Sequence, residues 1–405
     1  MSRVVITGMS AITPLGNSWP EVYKALKAGS CGIRLMEDWQ KIQGLSCYLA
    51  APVTHDVGHS IPRKLSRSMS RVSLIAAQSA QQAIHQSQLN LDEIDKDNIG
   101  IAYGSSFGSA EQLIPFGRVL AENKVRGISP TGYIKLMGHT TAINLSIYLG
   151  IKGRLIPTSS ACTSGSQALG YAYETIKHNI HPLMVAGSSE ELSPAQVAVF
   201  DSFFAASRDN HLPHQSAKPF SKDRNGMVVG EGGATFILES LDHALNRKAT
   251  ILAEIVGFAT NLDGSHIIQQ NPEMMEKVIG SALTSANLKP DQIGYISAHA
   301  TGTESDATEA GVINKIFSNK VPVSSNKGHM GHALGGSSSI SSWLTINMMN
   351  EGWFAPTLNL TQPSDDCSGI WHIMGEGLQR ECEYTMVNSF AFGGVNTSII
   401  FKRWN

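Results

Sequence analysis

The stretch that decides the fold is Ile156-Pro157-Thr158-Ser159-Ser160-Ala161-Cys162-Thr163-Ser164-Gly165. Its first five residues have one counterpart later in the chain. Val321-Pro322-Val323-Ser324-Ser325 resembles the first five of these residues, with an aliphatic residue and proline at the start and two serines at the end. A few residues further on, Ala168-Leu169-Gly170 returns as Ala333-Leu334-Gly335. Both pairs are 165 positions apart (321 minus 156 and 333 minus 168). Two blocks in the same order favour a duplicated architecture over chance similarity among common small residues.

The duplication predicts two halves, residues 1–250 and 251–405. At this offset Cys162 superimposes on Lys327, so that both residues would stand at the starts of matching helices. Around the repeat, apolar residues with helical spacing in 69–89 precede a short apolar run at 99–104. Alternation of helices and buried strands is typical of an α/β fold.

Composition narrows the class of protein. The 405 residues carry a formal net charge of -2, so no global charge favours nucleic acid or a membrane surface. Five scattered cysteines without CxxC spacing argue against a disulfide framework. No apolar run reaches the roughly 18 residues that span a bilayer, and the first 16 residues lack the pattern of a signal peptide. We therefore expect a cytoplasmic protein without membrane insertion.

Cys162 is a candidate nucleophile. It follows a predicted strand and begins a predicted helix among small residues, which allow a substrate to approach. A helix N-terminus favours the thiolate, which is the nucleophilic form of cysteine. A buried structural cysteine is an equal alternative for Cys162 by itself. For the other four cysteines the structural interpretation is preferred, and they are Cys31, Cys47, Cys367 and Cys382.

Two histidine motifs follow strands in the second half. In the first, His299 is followed at alternating positions by Thr301 and Thr303, whose hydroxyls could bond an amide-bearing substrate arm. In the second, Lys327 precedes His332 by five residues. His329 lies three residues before His332, a spacing that also suits metal ligation, but no HExxH pattern or nearby acidic ligand supports zinc. We expect no metal.

The last motif is Asn388-Ser389-Phe390-Ala391-Phe392-Gly393-Gly394-Val395-Asn396, near the C-terminus. Small residues beside an aromatic allow a backbone N–H to point into a pocket, as an oxyanion hole requires. An ordinary glycine turn is the competing interpretation of this motif alone.

Together and in this order, the four motifs resemble the β-ketoacyl-[acyl carrier protein] synthases that elongate fatty acids and polyketides. The resemblance extends from Val5 to Phe401 and includes the segment 218–226 and Gly230-Glu231-Gly232-Gly233. It implies a duplicated thiolase-like fold with α-β-α-β-α layers, and a homodimer. It also implies an acyltransferase that needs no metal or organic cofactor, since 4'-phosphopantetheine arrives on the carrier protein.

The resemblance also implies roles for individual residues. Cys162 matches the acylated nucleophile, and His299 and His332 match the histidines that handle the malonyl thioester. Both histidines are therefore expected to be needed for malonyl decarboxylation and less so for acyl loading. Lys327 matches the lysine that supports the second histidine. The N–H groups of Cys162 and Phe392 match the oxyanion hole, and the Phe392 ring matches a gate. The substrate-binding residues implied are Thr301 and Thr303 for the pantetheine arm and Phe107 for the acyl pocket.

Acyl carrier proteins are acidic as a family, so the resemblance implies a local basic docking patch. The candidates are Lys64, Arg67, Arg71, Arg126 and Arg208.

Some positions depart from the family pattern. Ala300 and Ala391 replace usual glycines, one residue is missing between Thr303 and Asp306, and Phe107 replaces a smaller aliphatic residue. These departures argue against housekeeping fatty-acid elongation, and the chain looks similar to the ketosynthases of bacterial aryl polyene clusters. Two alternatives are a silent partner subunit like the chain-length factors, which typically lack the cysteine, and a thiolase, which would need a second catalytic cysteine.

Overall fold

The computed structural model describes residues 1–404. Within this range sixteen strands form, and in chain order they are β1 (Val4–Ile12), β2 (Arg34–Leu35), β3 (Leu49–Ala51), β4 (Ile99–Gly104), β5 (Leu155–Thr158), β6 (Leu183–Glu190), β7 (Val229–Gly230), β8 (Gly232–Ser240), β9 (Ala253–Leu262), β10 (Ile293–Ser297), β11 (Pro322–Ser324), β12 (Trp353–Phe354), β13 (Trp371–His372), β14 (Leu378–Gln379), β15 (Tyr384–Ala391) and β16 (Val395–Arg403).

Thirteen α-helices lie in the same range. They are α1 (Trp19–Lys27), α2 (Arg63–Ser66), α3 (Arg71–Ser87), α4 (Leu113–Glu122), α5 (Pro130–Leu136), α6 (Thr140–Leu149), α7 (Ser164–Lys177), α8 (Pro194–Ser202), α9 (Leu241–Asn246), α10 (Pro272–Ala286), α11 (Ser305–Phe317), α12 (Lys327–Met330) and α13 (Ser337–Glu351). No helix among residues 1–404 is both long enough and apolar enough to cross a membrane.

The main sheet shows the duplication directly. Its order is β5-β4-β6-β8-β1-β9-β16-β15-β10-β11-β13, so β5-β4-β6-β8-β1 in the first half mirrors β11-β10-β15-β16-β9 in the second. The pairing directions repeat as well, because β4 is parallel to both its neighbours and so is β10. Antiparallel pairing of Val4–Ile6 with Ala253–Ile255 joins the halves.

The central strands are apolar because they are covered on both faces. Every residue of β1 is buried, and the strand packs against α3. A Cβ on Gly8 would lie only 2.2 Å from the Ala83 carbonyl oxygen of α3, so the close approach of strand and helix requires glycine there.

Helices complete a five-layer arrangement. α7 and α13 contact strands of both halves and lie between them, and twelve residues of α13 are buried. α3 covers the outer face of the first half, and α10 covers that of the second. The predicted duplicated α/β fold with α-β-α-β-α layers is thereby confirmed. The predicted division after residue 250 stays a prediction, although β9 begins the second set of strands at Ala253.

The predicted superposition of Cys162 on Lys327 is wrong. The long central helices begin 173 positions apart, at Ser164 and Ser337 (337 minus 164), instead of 165. The second half has an additional helical turn, α12, between its strand β11 and its central helix. The matching Ala-Leu-Gly triplets that suggested a gapless repeat therefore occupy different structural positions.

The true counterpart of Cys162 is Gly335. Each is the middle residue of a short 3-10 turn, Ala161–Thr163 or Leu334–Gly336, that leads into a central helix. Both turns begin with a left-handed residue, since φ is 49° at Ala161 and 43° at Leu334. The same strained turn thus occurs twice, once with a cysteine and once with a glycine.

Candidate active site

Cys162 is buried at the turn before α7, where hydroxyl side chains hold the backbone. The Ser160 N–H donates to Ser164 Oγ at 3.0 Å, and that hydroxyl donates to the Ala161 carbonyl at 2.7 Å. Because both bonds close the turn that carries Ala161 in its left-handed conformation, the position of the sulfur is fixed by local structure.

The Cys162 thiol meets His332 from the other half of the molecule. Its Sγ lies 3.0 Å from His332 Nε2. Burial raises the pKa of Cys162 to about 12, even though the charge of nearby Lys327 acts to lower it. Removal of the sulfur from water thus favours the neutral thiol in the unloaded site and opposes the thiolate that the helix start is expected to favour.

His332 is suited to accept the thiol proton. Burial, assisted by the charge of Lys327, holds the pKa of His332 well below 6.5, so its imidazole is neutral. A neutral imidazole can accept at Nε2 while Nδ1 carries the proton. Within residues 1–404 the buried Nδ1 has no hydrogen-bond partner, so the protein supplies no acceptor that would stabilise an imidazolium at this atom.

His299 faces His332 across the site. The ring centroids lie 5.2 Å apart at an interplanar angle of 82°. Burial, and then the charge of Lys327, holds the pKa of His299 well below 6.5. Two neutral imidazoles thus lie close to the sulfur, since the nearest nitrogens of His299 and His332 and the Cys162 Sγ are all within 4.8 Å of one another.

Glu309 positions the backbone at His299, and its part was not predicted. Its carboxylate accepts the N–H of His299 at 2.8 Å and of Ala300 at 2.7 Å. Burial raises the pKa of Glu309 to about 7, whereas burial lowers that of Lys327 to about 8. The charges of these two buried residues stabilise one another. Glu309 has no local motif that could have marked it, because it reaches the site only through the packing of α11.

The threonine loop between β10 and α11 is fixed by Asp306. One carboxylate oxygen accepts the N–H of Thr301 at 2.9 Å, and the other accepts that of Gly302 at 3.0 Å. Gly302 has a φ of 85°, which an L side chain rarely adopts. The result is that the hydroxyls of Thr301 and Thr303 lie 3.1 Å apart on one wall.

Arg224 holds the same loop from its other side. Its Nε donates to the Thr303 carbonyl at 2.9 Å, and its Nη2 lies 3.1 Å from Asp366. The segment 218–226 belonged to the family resemblance, but no role was predicted for this arginine. Its guanidinium anchors the loop to the segment around residue 366.

The reactive side chains and the threonine loop line a cavity of about 980 Å³. Six predicted residues line it together, namely Cys162, His299, Thr301, Thr303, His332 and Phe392. Lys327 does not line the cavity, but its positive charge lowers the pKa of His332.

Comparison with known proteins decides the family. Residues 1–244 match the model "Beta-ketoacyl synthase, N-terminal domain", and residues 252–361 match "Beta-ketoacyl synthase, C-terminal domain". The chain belongs to the β-ketoacyl synthase family.

Individual relatives cover the whole chain. The 3-oxoacyl-[acyl-carrier-protein] synthase 2 of Synechocystis sp. is 32% identical over 99% of this chain and 98% of its own length. A crystal structure of a β-ketoacyl synthase from Burkholderia phymatum is 45% identical, with a TM-score of 0.98 over 100% of both chains. The solved complex AntDE:AntF, a type II PKS acyl-carrier protein with its ketosynthase bound to the hexaketide, is 25% identical, with a TM-score of 0.91 over 100% of both chains.

In this β-ketoacyl synthase, Phe392 occupies the tip of the turn between β15 and β16. Its ring is 40% exposed and lies 5.7 Å from the ring of Phe200. Gly393, with a φ of 85°, donates its N–H to the Ile267 carbonyl at 2.7 Å. The turn is thus bonded to a neighbouring loop. The use of the Phe392 N–H in an oxyanion hole stays a prediction.

Phe107 does not line the cavity that contains Cys162. It follows β4 and is 38% exposed. The preceding Ser106 donates its N–H to the buried carboxylate of Glu190 at 2.7 Å, which directs the turn. Burial raises the pKa of Glu190 to about 7. The role of Phe107 as a wall of the acyl pocket stays a prediction.

The five basic docking candidates fall into two groups. Lys64, Arg67 and Arg126 are exposed and form no ion pair with any of residues 1–404. Arg71 instead donates from Nη2 to Glu231 at 2.9 Å and to the Val53 carbonyl at 2.7 Å.

Arg71 therefore has a structural role, since it neutralises the buried carboxylate of Glu231, although its side chain stays 40% exposed. Arg208 belongs to the same group, because its Nε donates to Asp201 at 2.8 Å while its side chain stays 42% exposed. Docking by either arginine stays a prediction.

The histidine pair considered for a metal does not form a site. The ring nitrogens of His329 lie 2.9 Å from the Ser30 carbonyl oxygen and 3.2 Å from that of Pro356, and the neutral ring can donate to one of them, so His329 braces α12 against a neighbouring segment. The nitrogen and sulfur atoms of Cys162, His299 and His332 do lie within 4.8 Å of one another. A cation there would meet the positive charge of Lys327, which acts on all three groups.

Proposed function

We propose that this β-ketoacyl synthase transfers an acyl group to Cys162 and condenses it with malonyl-[acyl carrier protein]. The observation that carries the proposal is the 3.0 Å contact between Cys162 Sγ and His332 Nε2, with His299 facing both at the base of a cavity. This combination supplies a nucleophile, a proton acceptor and a second imidazole donor in one desolvated place.

Loading begins with the neutral thiol. As Sγ attacks the carbonyl carbon of the acyl thioester, its proton passes to Nε2 of His332. The tetrahedral oxyanion would be stabilised by the N–H groups of Cys162 and Phe392. The carrier's pantetheine thiolate then leaves and takes the proton back from His332, so the enzyme ends as an S-acyl thioester with neutral histidines.

Condensation follows when malonyl thioester enters. The bond between its C2 and its carboxylate breaks, CO₂ leaves, and the electron pair forms an enolate. The N–H of His299 can stabilise the enolate oxygen as C2 attacks the acyl carbon, and so can His332 in the tautomer that carries its proton on Nε2. A new carbon–carbon bond forms, the bond between the acyl carbon and Sγ breaks, and the released Cys162 thiolate takes up a proton from solvent. These steps require no resident cofactor, and we propose none.

Intact-protein mass spectrometry with a panel of acyl carrier proteins tests the proposal. Wild type should gain the acyl mass, and peptide mapping should place it on Cys162. Cys162→Ala should stay folded and gain no acyl mass. Acylation mapped to Cys31, Cys47, Cys367 or Cys382 would contradict the assignment.

The partner that we propose is an acyl carrier protein, because substrate must reach a buried cysteine through a cavity that Thr301 and Thr303 also line. We also propose a homodimer. The strand β5 lies at an edge of the main sheet with Leu155 exposed, and apolar side chains of the neighbouring 113–134 segment face solvent. An exposed edge strand with apolar neighbours favours pairing with a second copy. Sedimentation velocity should give twice the 43.5 kDa chain mass.

For substrate preference, we propose short or flat, unsaturated acyl chains in an aryl polyene-like or other polyketide pathway, in preference to housekeeping fatty-acid synthesis. The support is the phenyl ring at Phe107, which would shorten a pocket for flexible alkyl chains if that turn borders it. Elongation of saturated long-chain against polyene acyl carrier proteins should show this preference in wild type, and Phe107→Ala should weaken it. A wild-type preference for long saturated chains would contradict it.

The two alternatives receive less support. A silent partner subunit would have no use for Cys162 in contact with His332. A thiolase would need a second cysteine at the sulfur, but Cys382 precedes β15 and does not line the cavity.

A further inference from the structure

The mouth of the active-site cavity carries two exposed phenylalanines. Phe203 is 56% exposed and Phe204 is 76% exposed, and both line the same cavity as Cys162. They follow the C-terminus of α8. An exposed phenyl ring contributes little to folding, because it gains almost no burial, and adjacent exposed phenylalanines favour association.

The backbone at Phe204 adds a second observation. Its φ is 56°, in the left-handed region that glycine and asparagine adopt easily but a bulky residue does not. A phenylalanine at this position is therefore strained as well as exposed. Residues held in this way cluster where strain serves binding or catalysis.

Further apolar side chains extend the surface around the opening. Ile268 and Phe392 are both exposed and line the cavity, and Phe392 lies against Phe200. We call four side chains at the opening the aromatic rim, because three of them are phenylalanines. They are Phe203, Phe204, Ile268 and Phe392. Arg208 places its guanidinium 4.8 Å from the Phe204 ring centroid, which holds that ring in place.

The charges at the opening do not favour an acidic partner by themselves. Lys222 and Arg224 line the cavity together with Glu304, Asp365 and Asp366. Arg224 is already paired with Asp366. Arg208, beside Phe204, is likewise paired with Asp201. Electrostatic attraction at the rim is therefore weak, and the apolar surface is what distinguishes it.

We propose that Phe203 and Phe204 form an apolar anchor for the carrier protein, which docks over the aromatic rim beside its pantetheine attachment point. The inference rests on the proposed function. Because the arm is covalently tethered, its protein end must lie at the opening whenever the thioester carbon reaches Cys162. The expected partner surface is an exposed apolar patch of the carrier protein next to the attachment point of its pantetheine arm.

The test compares Cys162 loading from two acyl donors. One is an acyl carrier protein, and the other is the same acyl group on free pantetheine. In Phe203→Ala/Phe204→Asn, the ratio of kcat/KM for the carrier-bound donor to that for the free thioester should fall about tenfold, as for loss of an interface hot spot. The loss should persist in high salt, since apolar contacts are not screened. Leu245→Ala, an exposed apolar residue of α9 outside the cavity, is the matched control and should leave both values unchanged.

Each result has a defined meaning. An unchanged ratio in the double variant, or a loss that disappears in high salt, overturns the anchor. A change in oligomeric state in the variant also overturns it, because the rim would then be a subunit contact. Failure of wild type to load from either donor contradicts the proposed function itself. If the double variant folds poorly, the same ratio of kcat/KM values is measured for Phe204→Asn alone. Asparagine relieves the left-handed backbone strain at this position and should keep or raise Tm.

Discussion

The Sγ atom of Cys162 and the Nε2 atom of His332 lie 3.0 Å apart although the residues are 170 positions apart in the chain. The thiol has a pKa raised by burial to about 12, and the imidazole has a pKa lowered by burial well below 6.5. The neutral pair is therefore the ground state, and proton transfer accompanies nucleophilic attack. His332 is thus expected to serve loading as well as condensation, which broadens the role assigned from sequence.

The two histidines should differ in a loading assay. His332→Ala removes the proton acceptor, so loading of Cys162 should slow by about 10²-fold, the lower range for loss of a general base. His299→Ala should load nearly normally but fail to decarboxylate malonyl thioester. Stopped-flow mass spectrometry and CO₂ release measure the two steps, with the exposed His59→Ala as a control. Equal loading rates in both variants would exclude His332 as the acceptor.

Titration of Lys327 should make the rate of condensation fall on the alkaline side of its pH profile. Burial lowers its pKa to about 8, so the positive charge is present below that pH and is lost as pH rises through it. kcat/KM for condensation should therefore fall above about pH 8, because the ammonium near the two imidazoles stabilises the negative charge that develops on the enolate. Lys327→Arg, whose guanidinium stays charged, should move this fall to higher pH. The exposed Lys320→Arg should leave the profile unchanged, and a fall that persists in Lys327→Arg would belong to another group.

Basic residues near α2 should separate into docking and structural residues. Lys64→Glu/Arg67→Glu should lower kcat/KM for carrier-bound substrate at low salt without changing stability, and the effect should fade with salt. Arg71→Ala should instead lower the free energy of unfolding by about 2–4 kcal/mol, because it leaves the buried Glu231 carboxylate without its cation. Urea unfolding and steady-state kinetics at two salt concentrations test both variants. A stable Arg71→Ala protein with impaired docking would instead place Arg71 in the patch.

Glu190 should make stability depend on pH. Burial raises its folded-state pKa from 4.5 to about 7, so the native protein binds this proton more tightly than the unfolded chain. The contribution of protonated Glu190 to the free energy of unfolding is fully present below pH 4.5, and it is lost as pH rises through about 7. Glu190→Gln should therefore gain stability relative to wild type between pH 5 and pH 8, by on the order of 1–3 kcal/mol. Urea titrations measure this difference, and the exposed Glu376→Gln should show none. A constant difference across this range would contradict the assignment.

Local motifs were sufficient to find the residues that carry the chemistry. Cys162, His299, His332 and the threonine pair each follow a strand and stand in short polar segments, and these features are visible in the chain itself. The roles of Glu309, Asp306 and Arg224 were missed because their side chains bond backbone groups of loops at separations of 10, 5 and 79 residues, and no spacing rule reports such contacts.

The sequence by itself determined the duplicated α/β fold, the family and the set of reactive side chains, because these depend on apolar periodicity and on residues in a recognisable order. Only the tertiary structure decided the register of the duplication, where α12 shifts the counterpart of Cys162 from Lys327 to Gly335. It also decided that Arg71 neutralises Glu231 and that Cys162 begins as a thiol. Each of these depends on which groups are removed from water together, and desolvation is a property of packed surfaces that come from distant parts of the chain.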